Sequence, residues 1–151
     1  MALHPTPKKE SGSEFHSIRG LRYHVRVWGK AGAPPLFLLH GWMDVAASFQ
    51  FLVDSFSRDW RVIAPDWRGF GLTEWRPEGY WFPDYYADLE ALLDLYQPGE
   101  PVLLVGHSMG GLVILRELLP HRELHPRVPV VVFYATPQEG SDIAAIAQHI
   151  L

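Results

Sequence analysis

Several features are missing from this chain of 151 residues, and each absence argues against a class of protein. There is no cysteine, which excludes disulfide bonds and thiolate metal sites. No apolar run approaches the ~20 residues of a membrane-spanning helix, and residues 1–12 lack the apolar centre of a signal peptide. The net charge is -4 without a basic stripe, so nucleic acid is not expected as a partner. The composition therefore predicts a cytoplasmic protein with no membrane span.

The hydrophobic content of 48% supplies one core, but not two, in a chain of this length. Residues 1–12 combine proline, lysine and serine and predict a disordered tail. Residues 13–151 are expected to form a single α/β domain. Its predicted strands are 15–18, 21–28, 35–39, 61–64, 102–105 and 128–134, and its predicted helices are 48–56, 83–96, one that begins near residue 109, and 143–151.

This alternation predicts a three-layer αβα sandwich, with a mostly parallel sheet and an antiparallel hairpin at the N-terminal end. The second strand alternates in a way that indicates one buried and one wet face. Tyr23 and Val25 are expected on the buried face, and His24 and Arg26 on the wet one.

The segment Gly106-His107-Ser108-Met109-Gly110-Gly111 joins a buried strand to a helix. Glycines at 106 and 110 permit a sharp turn that lifts the Ser108 hydroxyl clear of the sheet, as in a nucleophile elbow. The amide of Met109, at the start of the helix, is the predicted first oxyanion donor. Glycine-rich turns before helices also bind phosphates, and this alternative stays open.

A second segment, His40-Gly41-Trp42-Met43-Asp44, follows the strand 35–39. The loop in this position carries the other oxyanion donor of such a site. Gly41 would let the amide of Trp42 point at the substrate oxygen. His40 is expected to hydrogen-bond the loop rather than move protons, while the Trp42 ring would either cover the core or wall an acyl pocket.

Together these segments resemble the α/β-hydrolase superfamily, especially bacterial hydrolases with Trp-Met-Asp after His-Gly. The resemblance covers residues 15–111 and includes the segment Pro65-Asp66-Trp67-Arg68-Gly69-Phe70-Gly71. It implies a Ser-His-acid hydrolase that uses neither metal nor organic cofactor. Because Ser108 stands where related dehalogenases and epoxide hydrolases carry aspartate, the esterase, lipase and peptidase branches are implied. Asp66 and Arg68 are implied to be structural, with Arg68 bound to loop carbonyls.

The base and the acid of the triad are not assigned. Asp142 and His149 are the pair in the right order beyond the last predicted strand, and they are the weak candidates. On one helix they would lie roughly 10 Å apart, which is too far for the orienting hydrogen bond. His121 and His125 lie in a loop at the far end of the elbow helix and are expected to face water.

The resemblance also implies that the chain corresponds to the N-terminal part of a hydrolase domain. Leu112 replaces the asparagine usual in close relatives, and residues 135–142 resemble a Thr-Pro-x-x-Gly-Ser loop of a lipase-like branch. We therefore hypothesise a chimera or recombined fragment. The predicted strand 128–134, which begins at Val128 and ends at Tyr134, would be an exposed edge and would favour a homo-oligomer.

Two functions follow from these observations. The first is a serine hydrolase for small carboxylic esters or related acyl substrates, with incomplete catalytic machinery in this chain. The second is a non-catalytic hydrolase-like fragment that folds and self-associates. The aromatic segment around Trp75, Tyr80 and Trp81 is expected either to shape a pocket rim or to close the core edge.

Overall fold

The computed structural model of this protein describes residues 6–114 and 130–132. Its strands are β1 (Ser11–Ile18), β2 (Leu21–Trp28), β3 (Pro35–Leu39), β4 (Arg61–Pro65), β5 (Leu103–Gly106) and β6 (Val130–Val132). Its α-helices are α1 (Gln50–Ser55), α2 (Phe82–Tyr96) and α3 (Met109–Val113), and a 3₁₀ helix (Ala46–Phe49) precedes α1.

These strands form one sheet in the order β1-β2-β4-β3-β5-β6. The β1–β2 hairpin is antiparallel, and β2 also pairs antiparallel with β4. The pairs β3–β4, β3–β5 and β5–β6 are parallel. The predicted sheet, mostly parallel with an antiparallel N-terminal hairpin, is confirmed. Since Leu39 is the register partner of Gly106, the loops that follow β3 and β5 begin side by side.

Helices cover both faces of the sheet, because successive strand residues point to opposite sides. On one face, Phe37 and Leu104 pack with Leu89 of α2. On the other face, Leu36 and Val105 belong to a cluster with Val53 of α1. The result is the predicted αβα arrangement. Among the described residues, no helix combines the length and hydropathy needed to cross a bilayer.

The ordered structure begins earlier than the sequence predicts. β1 starts at Ser11, and the backbone amides of Lys8 and Lys9 donate to the Asp54 carboxylate at 3.2 and 2.8 Å. The prediction of a disordered tail is therefore wrong for residues 8–12. A polar edge strand carries no apolar pattern, and its length is set instead by its partner, β2, which it matches out to Trp28.

Other boundaries differ less. The predicted helix 48–56 is divided into the 3₁₀ helix and α1. The predicted helix 83–96 begins one residue earlier, at Phe82. Of the predicted strand 128–134 the structure describes Val130–Val132, which pair with β5. The predicted helix 143–151 lies outside the described residues, and self-association through the edge strand stays a prediction.

The prediction that one face of β2 is wet is wrong at His24, which is 1% exposed. The segment that follows β4 crosses this face and covers the ring. The His24 amide donates to Thr73 Oγ1 at 2.9 Å, and its Nδ1 lies 2.7 Å from Asp66 Oδ2. A loop from elsewhere in the chain thus buries a position that strand alternation assigns to solvent.

A buried ion pair fixes the segment after β4 to helix α2. Arg68 Nε and Nη2 donate to the two carboxylate oxygens of Asp88, each at 2.6 Å. The Tyr23 hydroxyl donates to the same carboxylate at 3.1 Å, and burial raises the pKa of Tyr23 well above its usual value. The hydrogen bonds that Arg68 donates to the Asp88 carboxylate raise the pKa of Arg68. The expectation that Arg68 binds loop carbonyls is therefore corrected, since its partner is a carboxylate.

We expect Asp88→Asn to lower the free energy of unfolding by about 3–5 kcal/mol, because it leaves the buried Arg68 charge without its carboxylate. Asp84→Asn is the matched control one turn earlier on α2. Its carboxylate is 32% exposed and 3.4 Å from Arg68 Nη1, and we expect a loss below about 1 kcal/mol. Urea unfolding of both variants measures the difference. Equal losses would contradict the importance of the buried pair.

Candidate active site

Ser108 occupies a strained turn between β5 and α3. Its φ and ψ are 53° and -113°, in a region that side chains rarely adopt. Glycines make this turn possible. A Cβ at Gly106 would lie 2.4 Å from the Gly111 nitrogen, and a Cβ at Gly110 would lie 2.3 Å from the Leu39 carbonyl oxygen. The side chain of Ser108 is half-buried at the carboxyl edge of the sheet.

The loop after β3 lies directly against the serine. A Cβ on Gly41 would come within 2.8 Å of the Ser108 Cβ. The His107 amide donates to the Leu39 carbonyl at 2.9 Å, which links the two loops through their backbones. The structure thus places Gly41, in the loop after β3, against Ser108.

The two amides predicted as oxyanion donors belong to Trp42 and Met109, which follow Gly41 and Ser108 in the chain. Met109 is the first residue of α3, where an amide has no partner within the helix. The Trp42 amide donates to no backbone carbonyl within residues 6–114 and 130–132. Its ring is 61% exposed and packs edge-on against Phe70 at 5.3 Å between centroids. Trp42 therefore does not cover the core.

The buried side chain of His40 stabilises the loop after β3 through hydrogen bonds. Its Nε2 accepts the Trp67 amide at 2.9 Å, so the proton lies on Nδ1, which donates to the Gly41 carbonyl at 2.8 Å. Burial lowers the pKa of His40 and favours this neutral form. Both ring nitrogens are used, which is the structural role that the sequence predicts.

Asp66 connects the loops that follow β3 and β4. Its Oδ1 accepts the Ala46 amide at 2.7 Å, and its Oδ2 accepts the Leu72 amide at 2.9 Å. Gly71, at φ 54°, approaches so closely that a Cβ there would lie 2.1 Å from Asp66 Oδ2. This arrangement supports the structural role that the resemblance implies for Asp66.

No histidine among the described residues contacts the Ser108 hydroxyl. His107 Nδ1 lies 3.8 Å from Asp44 Oδ2, and His16 bonds to Glu14 and Tyr96. The candidates Asp142 and His149, together with His121 and His125, lie outside the described residues. Within those residues no group of three or more potential metal ligands is found.

The aromatic segment is expected either to shape a pocket rim or to close the core edge, and its three aromatic residues differ in this respect. Trp75 and Trp81 are each 70% exposed. Tyr80 instead packs over Gly69 and lies 6.2 Å from the ring of Tyr85. Tyr80 therefore closes the core edge, whereas the two tryptophans face outwards.

Residues 34–150 match a family model described as alpha/beta hydrolase fold. A serine hydrolase-like protein of Danio rerio is 37% identical over 114 residues, which are 70% of this chain and 33% of that protein. Epoxide hydrolase A from Mycobacterium thermoresistibile has a similar structure, with 26% identity and a TM-score of 0.70 over 93% of this chain and 45% of that chain. Naproxen esterase (carboxylesterase NP) from Bacillus subtilis gives 27% identity and a TM-score of 0.68 over 80% of this chain and 41% of that chain. The chain spans about a third of the length of the curated relatives that it matches.

We expect Gly110→Ala to destabilise the protein by about 1–3 kcal/mol, because the new methyl group overlaps the Leu39 carbonyl. Gly32→Ala is the control, since a Cβ at Gly32 meets nothing within 4 Å. The control should change the free energy of unfolding by less than about 0.5 kcal/mol. Guanidinium unfolding curves of the two variants provide the comparison. If Gly110→Ala is as stable as the control, the close backbone contact is wrong.

We expect the stability contributed by neutral His40 to be lost at low pH. Burial lowers its folded-state pKa below the usual 6.5, so below that pH the unfolded chain takes up a proton that the folded chain resists. The free energy of unfolding should fall with a slope of up to about 1.4 kcal/mol per pH unit. Above the usual value His40 adds no pH dependence.

Urea unfolding at about pH 7.5 and about pH 5.5 tests this, because an ordinary histidine titrates between them. His40→Gln should reduce the difference between the two conditions, whereas His16→Gln, at a partly exposed ring, should reduce it less. An unchanged pH dependence in His40→Gln would show that the buried imidazole is not responsible.

Proposed function

Since this chain belongs to the alpha/beta hydrolase family, we propose that it is a serine hydrolase of small carboxylic esters or related acyl substrates, with Ser108 as its nucleophile. The observation that carries this proposal is the strained backbone of Ser108, held against the loop of Gly41 and Trp42. Strain of this kind is expected where a side chain must be presented for chemistry.

Acyl chemistry suits this serine better than epoxide opening does. The relatives include both an epoxide hydrolase and an esterase by name. A serine that opened an epoxide would be left as an ether, which water does not cleave under mild conditions. A serine that attacks an ester is left as an acyl ester, whose carbonyl water can attack in a second step. We therefore favour a carbonyl substrate.

In the proposed reaction, Ser108 Oγ attacks the acyl carbon and gives its proton to a histidine base. The amides of Trp42 and Met109 donate to the oxyanion that develops on the carbonyl oxygen. The bond to the alcohol then breaks, and the alcohol leaves with the proton from the base. Water hydrolyses the acyl-serine in the same way. In this proposal the base and the acid that orients it come from outside residues 6–114 and 130–132.

The exposed aromatic surface beside the oxyanion loop gives one wall for the substrate. Trp42 rests on Phe70, and Phe70 in turn packs against the buried His40 ring at 5.7 Å. The Trp42 ring is thus supported from behind while its outer surface stays free. We propose that the apolar part of the ester lies against this surface.

A second candidate function is a non-catalytic hydrolase-like module. The observation in its favour is that none of the four histidines in the described part of the chain, which are His16, His24, His40 and His107, reaches Ser108. A serine without a base is not activated, because the hydroxyl is a weak nucleophile. The two candidates differ in the reactivity of Ser108.

Labelling of the whole chain by a fluorophosphonate distinguishes them. We expect an adduct at Ser108 that forms about 10²- to 10⁴-fold faster than at an ordinary surface serine, which is the usual effect of a positioned base. Ser108→Ala should abolish this adduct, and Ser55→Ala, at the end of α1, should leave it unchanged. The modified residue is located by fragment sequencing. A folded protein with no adduct at Ser108 would support the non-catalytic module instead.

A further inference from the structure

Apart from Ser108, a second serine is hydrogen-bonded to a histidine, and that histidine is bonded in turn to a carboxylate. The three residues, Ser13, His24 and Asp66, are called the relay below. Ser13 Oγ lies 2.9 Å from His24 Nε2, and His24 Nδ1 lies 2.7 Å from Asp66 Oδ2. Ser13 stands on β1, at the edge of the sheet, while Ser108 follows β5. Four strand spacings of ~4.8 Å separate these strands, or about 19 Å across the sheet. The Ser13 hydroxyl is therefore far from Ser108, although Asp66 also holds the loop after β3.

The protons of this relay are ordered by its partners. The Asp66 carboxylate only accepts hydrogen bonds, so the proton shared with it lies on His24 Nδ1. In the neutral imidazole this leaves a lone pair on Nε2, to which the Ser13 hydroxyl can donate. A serine that donates to an imidazole, which in turn donates to a carboxylate, has the order of roles of a nucleophile, a base and an orienting acid.

Two members of the relay, His24 and Asp66, are buried, whereas Ser13 is accessible to solvent. His24 is 1% exposed and Asp66 is 3% exposed, and the Ala46 and Leu72 amides hold the carboxylate in place. Ser13 is exposed on the edge strand. A base that is already oriented toward an accessible hydroxyl needs little reorganisation to accept its proton.

Two neighbours on the same face of the hairpin suit an aryl ester. Arg26 is the register partner of Ser13, and its Nη1 donates to Ser11 Oγ at 2.9 Å, which brings a positive charge to the side of the serine. Phe15, two residues along β1 from Ser13, is 40% exposed and lies 5.1 Å from the His24 ring. The Arg26 cation favours a developing oxyanion. The Arg22 guanidinium lies over the Phe15 ring at 3.8 Å from its centroid, and the part of the ring that stays exposed offers an apolar surface to an aromatic leaving group.

We propose that Ser13 is a second nucleophilic serine, activated by His24 and Asp66, which takes an acyl group from small aryl esters. Ser13 Oγ bonds to the carbonyl carbon, and its proton passes to His24 Nε2. The bond from that carbon to the aryl oxygen then breaks, and the phenolate that leaves takes the proton from His24. The products are acyl-Ser13 and the phenol, and water can remove the acyl group by the same path.

The test uses the full chain with Ser108→Ala, so that the outcome does not depend on the function proposed for Ser108. The protein is treated with p-nitrophenyl acetate and digested with trypsin. The peptide from Glu10 to Arg19 carries Ser11, Ser13 and Ser17, so the three serines are compared in one fragment spectrum. We expect acetylation of Ser13 to exceed that of Ser17 by about 10²- to 10⁴-fold, the usual contribution of a general base.

Rapid loss of the acetyl group would hide the adduct, and release of p-nitrophenol is therefore followed in parallel. The release should fall to the background rate in the double variant Ser13→Ala/Ser108→Ala and should persist in the control Ser17→Ala/Ser108→Ala. Equal acetylation of Ser13 and Ser17, without any Ser13-dependent release, would overturn the proposal.

His24→Gln separates activation from mere exposure, because it removes the base and leaves Ser13 in place. We expect it to abolish the excess acetylation of Ser13, with folding checked by circular dichroism. Excess acetylation that survives in a folded His24→Gln protein would overturn the role of His24. If this variant does not fold, the comparison of Ser13 with Ser17 decides the outcome.

Discussion

The structure around the candidate site depends on backbone segments that approach one another without side chains between them. Gly110 faces the carbonyl of Leu39, and Gly41 faces Ser108, at separations where a Cβ would overlap its neighbour. The close approach places the loop after β3 beside the turn after β5. It also holds Ser108 in a conformation that costs about 1–3 kcal/mol when it is not supported by its surroundings.

Buried polar groups outside the contact between Gly41 and Ser108 hold the neighbouring loops in place. His40 binds the Trp67 amide, Asp66 binds the Ala46 amide, and Arg68 binds Asp88 of α2. Each of these contacts joins the segment after β4 to another part of the domain. Buried polar groups with partners give rigidity, whereas an unpaired one is costly. Residues 66–68 therefore connect the loop after β3 to helix α2.

The local features of this fold can be predicted from the sequence, and the contacts between distant segments cannot. β2 and β3 have the predicted bounds because apolar periodicity and turn residues are local signals. The burial of His24 depends instead on a loop that begins some forty residues later, at Asp66. The same holds for the pairing of Arg68 with Asp88, since many carboxylates in the sequence are equally plausible partners. The sharp turn at Ser108 could be predicted from Gly106 and Gly110, because only glycine fits so tight a turn.

Ser108 and Ser13 represent two different ways to prepare a hydroxyl for reaction. Ser108 has a strained backbone and lies against Gly41 of the loop after β3, while the described residues supply it with no base. Ser13 lies in a regular strand and is hydrogen-bonded to His24, but it stands on the edge strand of the sheet with Arg26 as its register partner. The position of a serine hydroxyl governs which substrates can reach it, and the base governs how fast the hydroxyl attacks. An efficient hydrolase needs both, so under the proposed function turnover would depend on a base that reaches Ser108.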